Sequence, residues 1–341
     1  MVHVCSHNQL FKFSDSLIGI LGIVFRDVLE AVAKREKAWC EQFGKPRQHV
    51  ERYIRELHEL RLLSPQTHID LLSDYLKLAP YLDIPAGNPL TRPTLRHPDL
   101  SPNNILISDS KQIVGVIDWQ HSVVLPLCLI AGIPKHFQNW GDPISEKLTK
   151  PETQVPENFA SLNADEQNEI REVQRRRLVH FLYAANTMQT IPAHYDAFTN
   201  ASVRALTRLY DRAGAPWEGD SVSLKAAMIE ALGQWPLSLD GDVDQNANDS
   251  DPKAPIEYSE SEIVECLALD AKINDKLREI EEMRDTLGID ALGWVPNDER
   301  YEASKALAQT IKAGMLEFSE TDLEKAAVND HFPFDDHDED D

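Results

Sequence analysis

Three side chains, Asp99, Asn104 and Asp118, are spaced so that they can assemble a site for a polyphosphate and a hard metal ion. Asp99 and Asn104 stand five residues apart in His97-Pro98-Asp99-Leu100-Ser101-Pro102-Asn103-Asn104, an H-x-D-x-x-x-x-N segment. The apolar runs Ile105–Ile107 and Ile113–Ile117 follow, with Ser108-Asp109-Ser110 as a turn between them. That pattern predicts a strand, a turn and a second strand, which return Asp118 to the loop it started from. A loop carboxylate such as Asp99 can accept the proton of a hydroxyl held in line with a γ-phosphorus. Asn104 offers magnesium a neutral oxygen, and Asp118 offers a charged one that bridges metal and phosphates. Magnesium favours hard oxygen donors and takes few of them from protein, so one Asn and one Asp suffice. His97 is expected to buttress the loop by hydrogen bonding. The competing reading is a polar turn in which Asp99 caps a helix and Asp118 merely ends a strand. Three functional positions and a hairpin would then have to agree by chance.

The elements that must position these residues are mostly helical. Residues 26–43 place Val28, Leu29, Val32, Trp39 and Phe43 at helical spacings. The stretches 48–63 (Ile54, Leu57, Leu60) and 66–82 (Ile69, Leu72, Tyr75, Leu76) repeat that pattern, and such stripes read as core. A loop from Pro85 to Pro93 leads into the histidine segment. Past Asp118 come Pro126 to Pro134 and a loop-like stretch to about Pro156. Asn163-Ala164-Asp165-Glu166 offers a helix cap, followed by apolar positions at Ile170, Val173, Leu178, Phe181 and Leu182. Further helices fit 196–213, 221–234, 259–287 and 298–328, the last two as an antiparallel pair. Ile273, Leu277, Ile280 and Leu287 form the stripe of 259–287. The expected division is therefore an atypical segment at 1–25, a main domain at 26–239, an acidic linker at 240–258, a helical extension at 259–329 and an acidic, disordered tail at 330–341.

Composition narrows the function classes. Formal net charge is −23, from 57 acidic against 34 basic residues in 341. Such a surface repels nucleic acid and anionic membranes, so neither is expected as a partner. Cys5, Cys40, Cys128 and Cys266 are scattered, with no C-x-x-C pair. They predict reduced thiols in an intracellular protein, without a disulfide framework or a zinc site. The apolar run Leu17–Phe25 is nine residues, too short to cross a bilayer, and residues 1–14 lack the pattern of a presequence or secretory signal. His180 and His194 have no partner at metal-ligand spacing. His121 is equally a packing residue or part of an acceptor site. Arg175-Arg176-Arg177 winds around a helix and should mostly face water, while Trp217 and Trp294 read as loop anchors.

HPDLSPNNILI followed by VIDWQH resembles the aminoglycoside phosphotransferase and choline kinase superfamily, whose usual form is H-G-D-L-H-x-x-N and then I-D-F or I-D-W. KREKAWCEQFGKPR, IDWQHSVVLPLCLIAGIPKHFQNWGDP, GAPWEGDSVSLKA, LGIDALGWVPNDERYEASK and HFPFDDHDEDD are similar to one fungal branch of it, that of altered-inheritance-of-mitochondria protein nine. The likeness runs from about residue 27 to the C-terminus. It implies a mainly α fold with a small β-hairpin, the large lobe of a protein-kinase-like phosphotransferase with a helical C-terminal extension. It also implies ATP and Mg2+ as cofactors, a small-molecule acceptor and a mitochondrial location. Asp99 would then be the base, with Asn104 and Asp118 the metal ligands. Trp119 stands where protein kinases carry the Phe of D-F-G. Ser101 replaces the second His of antibiotic-modifying members, which weakens any claim to an aminoglycoside substrate.

The front of the chain departs from that pattern. Gly19, Gly22, Gly44 and Gly87 are the glycines before His97, and they form no G-x-G-x-x-G array. Val32-Ala33-Lys34 resembles a nucleotide-lysine strand but lies in a charged helical pattern. The expectation is a chain without the ATP-clamping lobe, active in phosphoryl transfer only in a complete form. A non-catalytic mitochondrial scaffold that keeps the loop for structure is the other reading.

Overall fold

The computed structural model describes residues 24–85, 87–152, 154–235, 253–289, 295 and 297–335. Its helices are α1 (Phe25–Phe43), α2 (Arg52–Arg55), α3 (Pro65–Leu78), α4 (Leu127–Ile130), α5 (Ala164–Thr190), α6 (Pro192–Thr199), α7 (Ala201–Gly214), α8 (Val222–Gly233), α9 (Glu260–Leu287), α10 (Glu299–Phe318) and α11 (Asp322–His331). The strands are β1 (Pro93–Arg96), β2 (Ile105–Ile107), β3 (Ile113–Val116) and β4 (Val123–Pro126). The fold is mainly α, as the sequence implies. Among the described residues the strands form two antiparallel pairs, β2 with β3 and β1 with β4.

Local chemistry sets the helix ends. Asn163 caps α5, as its sequence suggests, by accepting from Glu166 N at 2.9 Å, and Glu166 accepts from Asn163 N at 2.9 Å, which makes the cap a reciprocal box. Pro192 cannot donate a backbone hydrogen bond, and it opens α6 just after α5 ends at Thr190. Asn200 then caps α7 through Val203 N, so the single helix expected over 196–213 is two. Similar boxes at Ser259 and Thr321 open α9 and α11. The 298–328 stretch is therefore also two helices. Gly288, at φ +68, closes α9 in the left-handed region that glycine enters without a Cβ clash.

Four expected helical stripes are corrected. Residues 48–63 hold only α2 and one 3-10 turn, because Glu59 and Leu60 take φ of +54 and +57 and end the helix. On α1 the buried side chains include Val28, Leu29, Ala33, Glu36 and Cys40, whereas Trp39 and Phe43 are exposed and face each other with ring centroids 6.1 Å apart. Leu277, Val173 and Leu182 are likewise exposed, and α5 buries His180, Ala184 and Thr187 instead. Small and polar residues can fill a tight interface, so a hydrophobic stripe alone points to the wrong face.

The chain divides into two compact units. The first takes the described residues up to Ala31, Ala79–Asp211 and the run from Ala231. The second takes Val32–Leu78, Arg212–Glu230 and the described residues from Ala254 onward. In the first, Ile133, Ala184 and Phe198 form a core cluster flanked by Phe137, Tyr183 and Tyr195. The α4 residues Leu127, Cys128 and Leu129 are buried, and Thr207 of α7 donates to Cys128 O at 2.7 Å. In the second, Leu72 and Tyr75 of α3 are fully buried, each worth about 1.5–3 kcal/mol over the exposed state. Ala226, Ile229 and Cys266 cluster with Tyr258, and Leu287, Ala308 and Phe332 with Phe334.

Those last contacts amend the expected linker and tail. Tyr258, placed in the linker by sequence, packs on Met228 and under Lys225. Phe332 is buried and Asp335 pairs with Lys312, so the tail is packed as far as Asp335. Residues 1–23, most of the linker, Trp294 and 336–341 lie outside the described residues. Cys40, Cys128 and Cys266 are free and buried. No helix among the described residues is long and apolar enough to cross a membrane.

Candidate active site

The two strand pairs interlock around the H-x-D segment, within the first unit. β1 ends at Arg96 and delivers His97, the loop runs into β2, and β3 delivers Asp118. β4 then pairs back on β1, with Arg96 opposite Val123 and Pro93 opposite Pro126. Both the 97–104 loop and the 117–122 turn are therefore bracketed by strands. The β2–β3 pair sets Ile105 opposite Val116 and Leu106 opposite Gly115, with a register shift before Ile107. Ser108 N donates to Gln112 O at 2.9 Å and closes the turn expected at Ser108–Ser110. The side chains of Leu106, Ile107, Ile113 and Val114 are exposed.

His97 is buried and bonds at both ring nitrogens. Nε2–H donates to Ile117 O at 2.8 Å, and Nδ1 accepts from Asp99 N at 3.2 Å. One imidazole thus ties the Asp99 backbone to the peptide that leads into Asp118, the buttressing role its position suggests. The Trp119 ring meets it edge-on at 4.8 Å, and Trp119 Nε1 donates to Val116 O at 2.9 Å. Ile117 N donates to Asn104 O at 3.0 Å, a second link between the loop and β3.

Asn104 Nδ2 donates to Asp99 O at 2.9 Å and lies 3.4 Å from Asp99 Oδ2. With its amide hydrogens directed at Asp99, the Oδ1 end is left to face elsewhere. Asp118 is exposed and takes φ +62, a conformation that Asp enters more readily than most residues. His121 takes φ +60 in the same turn and is also exposed. One neutral and one anionic oxygen, both of hard character, fit a magnesium ion and not a soft one.

Two residues at this site escape sequence reasoning. Arg96, half-buried, donates to Ile130 O at 2.6 Å and to Gly132 O, and stands 3.1 Å from His194 Nε2. It anchors the end of β1 to the chain after α4, and burial lowers the guanidinium below its ordinary range. His136 Nε2 lies 3.3 Å from Asp99 Oδ1, within ion-pair reach but outside hydrogen-bond geometry. It sits on the 3-10 turn Lys135–Phe137 that Pro134 opens, 37 positions past Asp99, a separation that no local motif spans.

Val32-Ala33-Lys34 is helical, on α1. Arg175 and Arg176 bond Glu172 on the solvent side of α5, as expected, but Arg177 does not face water. It holds Asp142 through two bonds of 2.8 and 2.9 Å. His180 accepts from Asn139 N at 2.8 Å, and buried Trp217 anchors its loop through its backbone.

The chain is 28% identical over 285 residues to a subtelomeric hrmA-associated cluster protein of Aspergillus fumigatus, in two strains; the match covers 83% of this chain and 52% of the relative. It is 26% identical over 160 residues to altered inheritance of mitochondria protein 9, mitochondrial, of Candida glabrata, covering 47% of this chain and 23% of that protein. The chain thus spans about half the length of the Aspergillus relatives. No solved structure matches it. The family model of the phosphotransferase enzyme family matches residues 25–128, a span that contains His97, Asp99, Asn104 and Asp118.

Proposed function

We propose that this protein transfers the γ-phosphate of ATP to the hydroxyl of a small molecule. The observation that carries this reading is His97, whose ring joins the Asp99 backbone to the carbonyl before Asp118 and so fixes two carboxylate-bearing segments against each other. Asp99 is the base that takes the acceptor's proton, with His136 beside its carboxylate. Asn104 and Asp118 are the oxygen ligands that would hold Mg2+, which supplies charge neutralisation at the phosphates when bound. A mitochondrial location is supported by the name of the Candida relative.

The test uses ATP turnover over a panel of small hydroxyl compounds, with nucleotide binding measured in parallel. Asp99→Asn should abolish transfer and leave Mg-ATP affinity within about twofold, because Asp99 orients the acceptor and does not touch nucleotide. Asp118→Ala should lose the magnesium-dependent part of nucleotide binding, and Asn104→Ala should fall between them. Wild-type Mg-ATP affinity in all three variants, with no turnover on any acceptor, would replace this reading by a non-catalytic scaffold.

A further inference from the structure

The second unit holds a buried cluster unrelated to the phosphotransferase motif. Glu36 and Cys40 lie one turn apart on α1 and so share a helix face, and His68 comes from α3. All three are buried, at 6, 2 and 4% exposure. Cys40 Sγ donates to Glu36 Oε1 at 3.4 Å, and one ligand atom from each of the three lies within 4.8 Å of the others. Ligand atoms of a tetrahedral zinc with Zn–S of ~2.3 Å and Zn–O of ~2.1 Å stand about 3.6 Å apart, so the pair on α1 is already at bonding separation.

His68 supplies the second observation. Its Nδ1 stands 2.9 Å from Ser221 Oγ, while the buried Nε2 has no hydrogen-bond partner. An orphaned ring nitrogen in a core gives up its hydration with no replacement bond, so a group that only packs is a poor account of it. With Nδ1–H donating to Ser221, Nε2 carries the lone pair, the tautomer of a metal-bound imidazole held by an outer partner. Glu36 has such a partner too, since Trp217 N donates to Oε1 at 2.8 Å. The scaffold brings α1 and α3 close where this matters. A Cβ on Gly44 would lie 2.9 Å from Pro65 Cβ and 2.5 Å from Cys40 O, so only glycine lets the end of α1 meet the start of α3.

We propose that Glu36, Cys40 and His68 bind a zinc-class divalent cation that clamps α1 to α3. Thiolate, imidazole and carboxylate together select zinc or cobalt over the magnesium of the Asp118 site. On binding, the Cys40 S–H bond breaks, an Sγ–metal bond forms, and the proton leaves to solvent. Cys40 Sγ is buried and held against Glu36 Oε1, so the entering cation displaces the thiol proton directly. Three protein donors leave the fourth position to a solvent oxygen.

Chelator-treated full chain is titrated with Zn2+ and, separately, with Co2+. The expected result is one equivalent per chain, a near-ultraviolet thiolate-to-cobalt charge-transfer band, and no displacement by millimolar Mg2+. Cys40→Ser should abolish the band, and Ser221→Ala should weaken binding about tenfold while leaving the band in place. Should Cys40→Ser fail to fold, alkylation of the wild type in mild denaturant decides instead: zinc should protect Cys40 and leave Cys128 and Cys266 as reactive as before. Uptake well below one equivalent, cobalt binding without the thiolate band, or equal alkylation of the three thiols with and without zinc would each overturn the proposal. None of these readouts depends on phosphoryl transfer.

Discussion

His97 does two jobs with one ring, and removing it separates them from chemistry. His97→Ala leaves the Ile117 carbonyl and the Asp99 amide without their partner in a buried setting, a loss of about 1–3 kcal/mol that urea unfolding should register. His97→Gln, with one donor and one acceptor on a similar reach, should recover part of it. Unchanged stability in His97→Ala would mean that the loop is held by β1 and β2 alone. The placement of Asp99, Asn104 and Asp118 on one loop and hairpin is readable in sequence because both are encoded locally, within about twenty residues. Arg96 and His136 are not, since their partners are made by tertiary packing past α4. The same holds for Glu36, Cys40 and His68. Read along the chain they are a charge, a scattered thiol and a helix histidine; they meet where Gly44 lets the end of α1 approach Pro65.

At the scale of elements, the Arg177–Asp142 pair ties α5 to the 139–146 loop across 35 residues. The Arg177 hydrogen bonds, with Ser145 in support, pull the Asp142 carboxyl down to about 2, and Arg177 is correspondingly raised. A carboxyl whose folded value lies below its unfolded 3.8 contributes stability above that value and loses it as pH falls toward 2. Asp142→Asn should therefore lower the urea midpoint at pH 6 by an amount equivalent to about 1.5–3 kcal/mol, with the two proteins converging near pH 2. A constant difference across that range would refute the ion-pair account. The long helices were legible, from signals such as the Asn163 cap of α5, whereas the irregular 48–63 stretch, the break at Asn200 and the helix faces were not. Trp39 and Phe43 satisfy the helical period yet lie outside, and the interface is lined by Ala33, Glu36 and Cys40. Nothing in the β1 and β4 sequences, PTLR and VVLP, announced that they would pair.

For the molecule as a whole, four histidines with lowered values shape the response to mild acid. His49, His68, His180 and His194 are each lowered by burial, His68 to about 4. Between the unfolded value of 6.5 and these lower values the unfolded chain takes up protons that the folded chain refuses. Stability is thus full above pH 6.5 and falls as pH drops, on the order of 3 kcal/mol from His68 alone by pH 4. Chelator-treated protein should lose unfolding midpoint between pH 7 and 5, ahead of the Asp142 transition. A flat profile there would show that these rings protonate in the native state. The exposed strand pair has a colloidal consequence. Ile107, Ile113 and Val114 are 64–67% exposed on a two-stranded edge, the kind of surface that recruits further strands. What keeps chains apart is repulsion between bodies carrying −23 each, and its reach shrinks from about 30 Å at 0.01 M salt to about 3 Å at 1 M. Light scattering should rise with added salt, and Ile113→Lys should suppress the rise, so that this acidic protein is best dispersed in dilute buffer.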